Sequence, residues 1–247
     1  MFSYAEYKNL IDLLKLNFPI LDFSEVTVDT NKFCLLRHDI EYSIDRALDL
    51  ARFEADSLGV KSTYLIQLRS DIYSAISNRS IKMMTEIKSL GHKIGTHPNP
   101  PTGMALDDLK EYILKDIVTL ENYYQFDIDR FSYHIPKHEY LKQYVELDNK
   151  INCYGMKFFH FFEGKKPKTL RVNYVSDSNH QWKYGHPLEL NLDKIRKLQL
   201  LIHPYSWTRQ GYNNLKNFVT LIDERNRELL EAMNEIKSFP NEFLAIY

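Results

Sequence analysis

The chain has 247 residues, 44% of them hydrophobic and 13% aromatic, with a formal net charge of −1. That length and apolar content suit one packed domain of α/β-barrel size and exclude a disordered chain. The near-zero charge removes any global attraction to nucleic acid or an anionic membrane, and no apolar run approaches the ~20 residues that span a bilayer.

In chain order, Met1–Phe18 mixes Glu6, Lys8, Asp12 and Lys15 into its apolar residues. This is no secretory pattern, so a cytoplasmic protein is expected. Leu10, Leu13 and Leu14 fall on one face of an amphipathic helix, and residues 1–30 read as a helical extension packed on a single domain covering 1–247. Phe33-Cys34-Leu35-Leu36 reads as a buried strand leading into Arg37-His38-Asp39-Ile40-Glu41. Ser43 then caps a helix with Ala47, Leu50, Ala51 and Leu58 on its apolar side, stopped by Gly59. Thr63–Leu68 is a strand, Ser80–Leu90 a helix, and Gly91–His97 a short strand with glycine at its start. Asp107–Tyr124 is a helix through Leu109, Ile113, Ile117 and Leu120. Arg130–His134 is a strand and Glu139–Leu147 a helix, while the aromatic Tyr154–Phe162 fits no single pattern. Leu170–Val175 and Leu198–Ile202 are strands, and Asn214–Ser238 is a long last helix whose charged side is a solvated face. About seven strands alternating with helices give a parallel, barrel-like α/β fold. Cys34 and Cys153 read as small core hydrophobes, with no disulfide framework.

The ionisable residues recur at strand ends. His38-Asp39-Ile40-Glu41, Thr96-His97-Pro98, Ser132-Tyr133-His134-Ile135-Pro136 and Leu201-Ile202-His203-Pro204 each close a strand, and Ser176-Asp177-Ser178 follows another. In a parallel barrel these ends meet on one face. Asp39 and Glu41 are two apart on an extended chain, so both point to the same side. Imidazole and carboxylate together suit a divalent ion such as zinc, which activates a bound water and polarises a carbonyl. A neighbouring carboxylate can take the water's proton, and an opposed imidazole can protonate the leaving group.

These segments resemble the polysaccharide deacetylase family (NodB-type, carbohydrate esterase family 4), and most closely its branch with an Arg-His-Asp-Val-Asp first motif. Arg37-His38-Asp39-Ile40-Glu41 resembles that motif. Gly91-His92-Lys93-Ile94-Gly95-Thr96-His97 is similar to the segment that begins the family's His motif. Phe131–Pro136 sits where the third motif belongs, and Leu200–Trp207 resembles the closing His motif. The resemblance, running from Cys34 to Trp207, implies a distorted (β/α)7 barrel, a divalent metal, usually zinc, and removal of an acetyl group from an acetylated (amino) sugar. It implies Asp39 as catalytic base, Glu41 and His97 as metal ligands and His203 as general acid. Glu41 is one methylene longer than the usual Asp, and Pro101 stands where a second ligand His is usual. His134, directly after a strand and stiffened by Pro136, is the candidate for the missing ligand.

Other residues have alternative readings. Arg37 either orients Asp39, binds an anionic sugar or forms a structural ion pair. Asp177 holds His203 or Arg37, or caps a turn with Ser178. Trp207 is a candidate wall of the sugar pocket. His38 reads as a support for a carboxylate. His138 reads as a surface residue, and His92, His160, His180 and His186 as structural or surface residues. Tyr154, Phe158, Phe159, Phe161, Phe162 and Trp182 pack in the core or form a sugar platform. The expected substrate is a soluble saccharide precursor in surface-polysaccharide synthesis, with no nucleic-acid partner and no membrane span. Hydrolysis of small amides or cyclic imides, and a catalytically silent carbohydrate-binding relative, are the competing functions.

Overall fold

The structure, a computed structural model, describes residues 2–160, 171–183 and 185–235. The expectations at Phe161, Phe162, Leu170 and 236–238 lie outside the described residues. Eight strands occur among the described residues: β1 (Ile20–Leu21), β2 (Phe33–Ile40), β3 (Thr63–Ile66), β4 (Lys93–Thr96), β5 (Arg130–Phe131), β6 (Ile151–Asn152), β7 (Val172–Ser176) and β8 (Lys197–Ile202). Their pairings are parallel, in the order β6-β5-β4-β3-β2-β8-β7, and β1 pairs with the start of β2. Helix α1 (Tyr4–Asn17) precedes the sheet. Helices α2 (Ile44–Arg52), α3 (Asn78–Ser89), α4 (Leu106–Tyr124) and α5 (His138–Gln143) follow β2 to β5, and α6 (Asn214–Asn234) follows β8. The sheet curls as a half-barrel, in keeping with the parallel, barrel-like fold expected from the alternation of elements and with the distorted (β/α)7 barrel that the family resemblance implies.

Strand alternation decides where the chemistry points. Every residue of β2 is buried, and successive side chains face opposite sides. Phe33 and Leu35 point into the barrel, packing with Leu65, Cys153, Phe158 and Val172. Cys34 and Leu36 point outward against Leu198, Leu200, Ile202 and the Tyr7, Leu10, Ile11 and Leu14 face of α1. Arg37 and Asp39 continue the inward row. His38 continues the outward row, so its neighbours are helices and not the barrel interior.

Local signals set several boundaries. Ser43 accepts a hydrogen bond from the Arg46 N–H and caps α2. That helix passes into a π-helical turn over Phe53–Leu58, which Gly59 ends in a left-handed conformation at φ 62°. Gly95 has no room for a side chain: a Cβ there would lie 2.4 Å from Leu65 and 2.7 Å from the Arg130 carbonyl oxygen. This lets β4 and β5 approach over the buried Arg130 guanidinium, which donates to Asp22, Asp129 and Thr63. β5 is two residues long, shorter than the expected Arg130–His134, and Ser132–His134 form the loop that enters the site. β1 and β6 are too short to show a period of two in the sequence. Turns run from Cys153 to Phe158. Cys34 and Cys153 are free and buried. No helix of the described residues is long and apolar enough to cross a membrane.

Candidate active site

At the carboxyl ends of the strands lies a cleft of ≈ 510 Å³ lined by Asp39, Glu41, His97, His134 and His203. It is the place where ligands bind in folds of this kind. Tyr42, Tyr133, Tyr154, Phe159 and Tyr174 supply aromatic surface, and Ser176, Ser178, Asn179 and Lys183 supply polar groups.

Asp39 forms one half of the site. Arg37, two residues earlier on the same strand, grips it bidentately: Nε donates to Oδ1 at 2.8 Å and Nη2 to Oδ2 at 2.7 Å. Arg37 is itself held by Gln199 Oε1 at 3.3 Å and the Tyr154 hydroxyl at 3.2 Å, with its guanidinium 4.3 Å from the Tyr154 ring centre. Burial would push the Asp39 carboxyl up, but the Arg37 charge outweighs it and holds the group below the usual carboxylate range. His97 Nε2 lies 3.3 Å from Asp39 Oδ2, and its Nδ1 lies 2.6 Å from Ser132 Oγ. Burial lowers the His97 ring to about 4 against the pull of Asp39, so the imidazole is neutral at pH 7.

The other half is His203. Asp177 accepts from the His203 backbone N–H at 2.9 Å, contacts Nδ1 at 2.6 Å, and accepts from Trp207 Nε1 at 2.8 Å. Burial alone would lower the His203 pKa; Asp177, with Glu41, outweighs it and raises it well above the ordinary histidine value. The protonated form of the ring is thereby favoured. Its Nε2 faces Glu41 Oε1 at 3.5 Å, and His134 Nε2 approaches the same oxygen at 3.5 Å. Burial opposes ionisation of Glu41, but His203 prevails and keeps its pKa below the usual value. The extra methylene of Glu41 thus carries its carboxylate between two imidazoles.

Asp39, Glu41, His97, His134 and His203 come together as the strand-end argument anticipated. One placement differs from the sequence reading, and two select among the alternatives it left open. Trp207 is buried, with its indole N–H on Asp177, and does not line the cleft; Pro204 and Tyr205 turn it toward Phe2, Tyr7 and Trp182. Arg37 is wholly buried, with its guanidinium on Asp39, Gln199 and Tyr154, and does not line the cleft. Asp177 is fully buried, holds His203 through its backbone N–H and Nδ1, and does not line the cleft.

The expected metal set meets a geometric difficulty. A zinc site needs donors converging at ~2.0–2.2 Å from one point. Among the described residues no group of three or more His, Cys, Asp or Glu side chains could hold a metal ion. His97 is turned to Asp39 and Ser132, while His134 and His203 share Glu41. Glu41, His97 and His134 therefore face one cleft without forming a ligand cage, and Pro101 offers no donor.

Gln199, Tyr154, Ser132 and Glu54 are contributors that sequence reasoning missed. Gln199 carried a visible signal, a polar residue inside an apolar strand. Its amide donates to the Cys153 and Phe158 carbonyls while its Oε1 serves Arg37. Glu54 is fully buried beneath the outer face of β2, contacting His38 at 2.8 Å and accepting from Tyr7, Ser62 and Tyr64. His38 thus supports a carboxylate, as anticipated, but a structural one outside the cleft. His92, His160 and His180 make backbone hydrogen bonds, and His186 contacts Glu6.

No protein-family model and no curated protein sequence matches the chain. Among solved structures it is similar to the carbohydrate esterase family 4 domain of a multidomain xylanase from the hindgut metagenome of Trinervitermes trinervoides. That match has 11% identity and a TM-score of 0.45, covering 82% of this chain and 84% of the other. It is also similar to a carbohydrate esterase family 4 pseudoenzyme from Bacillus anthracis, at 13% identity and TM-score 0.47 over 85% and 68% of the two chains. The chitin deacetylase of Colletotrichum lindemuthianum aligns at 14% identity and TM-score 0.43 over 77% and 81%.

Proposed function

We propose that this chain is a hydrolase that removes an acetyl group from an acetylated sugar, cleaving a linear amide or an acetyl ester. The observation that carries the reading is the opposition of two prepared groups across one cleft. Arg37 favours the ionised form of Asp39, and Asp177 favours the protonated form of His203. Asp39 takes a proton from water as the water adds to the acyl carbon, and His203 Nε2 gives a proton to the departing nitrogen or oxygen. Acetate and the free amine or alcohol result. The motif order from Arg37 to Trp207 and the aromatic lining of the cleft support a sugar as substrate.

A soluble precursor inside the cell, destined for a surface polysaccharide, is the substrate we propose, and the two unpaired buried cysteines are compatible with a reducing compartment. The divalent ion implied by the family resemblance, usually zinc, belongs to the same proposal; Glu41, His97 and His134, which face one cleft without forming a ligand cage, are the side chains that would have to converge on it. Elemental analysis before and after chelation tests that part by itself. Acetate release from a panel of nucleotide-linked and oligomeric N-acetyl and O-acetyl sugars tests the hydrolase. A second reading, a silent carbohydrate-binding protein, is favoured by Pro101 and by the lack of a three-donor group among the described residues. Saccharide binding by calorimetry without acetate release would select it.

A further inference from the structure

Helix α6 attaches to the body along one narrow side. Asn217 and Leu221 are its buried residues, and Arg46 of α2 clamps that side by donating to Asn217 Oδ1, Thr220 Oγ1 and the Glu224 carboxylate. The opposite side faces solvent, although the sequence reading assigned the helix an ordinary charged exposed face. Leu215 is 77% exposed, Val219 49%, Ile222 60% and Leu229 58%. These residues are spaced by four and three, with Asn226 at the matching position between Ile222 and Leu229. Alternating spacings of four and three make the core seam of a two-helix coiled coil, and a single polar residue in such a seam is a known register device. Among the described residues the body leaves this seam exposed, and exposed apolar patches of this kind mark association surfaces.

The charges beside the seam say what fits. Lys216 and Asp223 lie one turn on either side of Thr220, on the flank away from the body. Two copies of the helix placed antiparallel, with the twofold axis near Thr220 and Leu221, set Val219 against the partner's Ile222 and Ile222 against the partner's Val219. The same register puts Lys216 opposite the partner's Asp223 and Asp223 opposite the partner's Lys216. A self-complementary patch of this sort is what a twofold interface requires. Parallel pairing would instead face this flank with Phe218, Arg225 and Ala232, which offers Lys216 no carboxylate.

We propose that two copies of this chain associate in solution through antiparallel packing of their α6 helices. The overlap from Leu215 to Asn226 is short, ~18 Å at 1.5 Å per residue, so the dimer is a weak one. Sedimentation equilibrium of the full chain over roughly 1–200 µM tests this, since small interfaces dissociate in that range. The wild-type mass should rise from one chain toward two as concentration increases. Ile222→Glu should stay monomeric throughout, with a melting temperature equal to the wild type's at a dilution where both are monomeric. Lys216→Glu should weaken association by roughly tenfold, and Lys216→Glu with Asp223→Lys should restore it, because the pairs re-form with reversed sign. A wild type that is monomeric at the highest concentration overturns the proposal. So does a melting temperature that drops in Ile222→Glu at a dilution where the wild type is also monomeric, which would show the seam covered from within the chain. A dimer indifferent to the charge reversal and strengthened by Asn226→Val would show parallel pairing and overturn it equally.

Discussion

Trp207 donates its indole N–H to Asp177 Oδ2 at 2.8 Å, while Asp177 Oδ1 holds His203 Nδ1 at 2.6 Å. The buried carboxylate has one oxygen for the indole and one for the imidazole. The proposed acid is thus aimed by a residue outside the cleft. Trp207 packs on Phe2 and Tyr7, and Thr208 bonds back to Phe2 and Tyr4, so the amino-terminal segment braces this pair.

Trp207→Phe removes the donor and keeps an aromatic ring. Loss of one hydrogen bond to a charged group is worth about 1.5–3 kcal/mol, so kcat should fall roughly ten- to a hundredfold. KM should stay unchanged, because the indole does not reach the cleft. Steady-state kinetics with any active substrate separates this from a sugar-stacking role, which would raise KM instead.

Arg37→Lys replaces a planar fork with a point charge and cannot reproduce both contacts to Asp39. The Asp39 carboxyl should then titrate higher and lose its fixed orientation. The acid limb of the kcat profile should move to higher pH, with activity at neutral pH reduced by more than tenfold. The alkaline limb, set by His203, should stay above the ordinary histidine range in this variant and move down in Asp177→Asn, where the charge that raises it is gone. Profiles that do not change in these directions would detach the limbs from these residues.

Glu54 makes a stability prediction independent of the chemistry. Burial pushes its carboxyl up, but His38, with His92 and the Tyr7 hydroxyl, outweighs that and holds it at about 2 against an ordinary 4.5. A depressed folded pKa means stability that is complete above the unfolded value and lost as pH falls from about 4.5 toward 2. The full effect is roughly 3 kcal/mol. Urea denaturation at pH 7 and pH 3 should show it in the wild type. Glu54→Gln should be less stable at pH 7 and should show a smaller loss between the two pH values.

The recurrence of His and Asp at strand ends was enough to place Asp39, Glu41, His97, His134 and His203 around one cleft, because parallel topology brings such ends together whatever the strand lengths. What each residue touches was not legible. Arg37 and Asp39 are two apart in sequence and were read as strand-end groups, yet the strand runs through both, and their bidentate pairing depends on Gln199 and Tyr154 from distant segments. Trp207 looked like a pocket wall because it follows a site histidine by four residues. The short helical turn over Pro204–Ser206 rotates it inward, a reversal no periodicity signals. Glu54 falls within the helix expected between Ser43 and Gly59 but outside its apolar set, and it is buried in the π turn over Phe53–Leu58.

The most direct test is acetate release from soluble acetylated sugars by the wild type and by Asp39→Asn and His203→Ala, each checked for folding by circular dichroism. The wild type should release acetate, and each variant should be slower by ~10²–10⁴-fold, the usual contribution of a general base or acid. Their double variant should be little worse than either alone, because the two act in one step. Acetate release that persists undiminished in both variants would contradict the account.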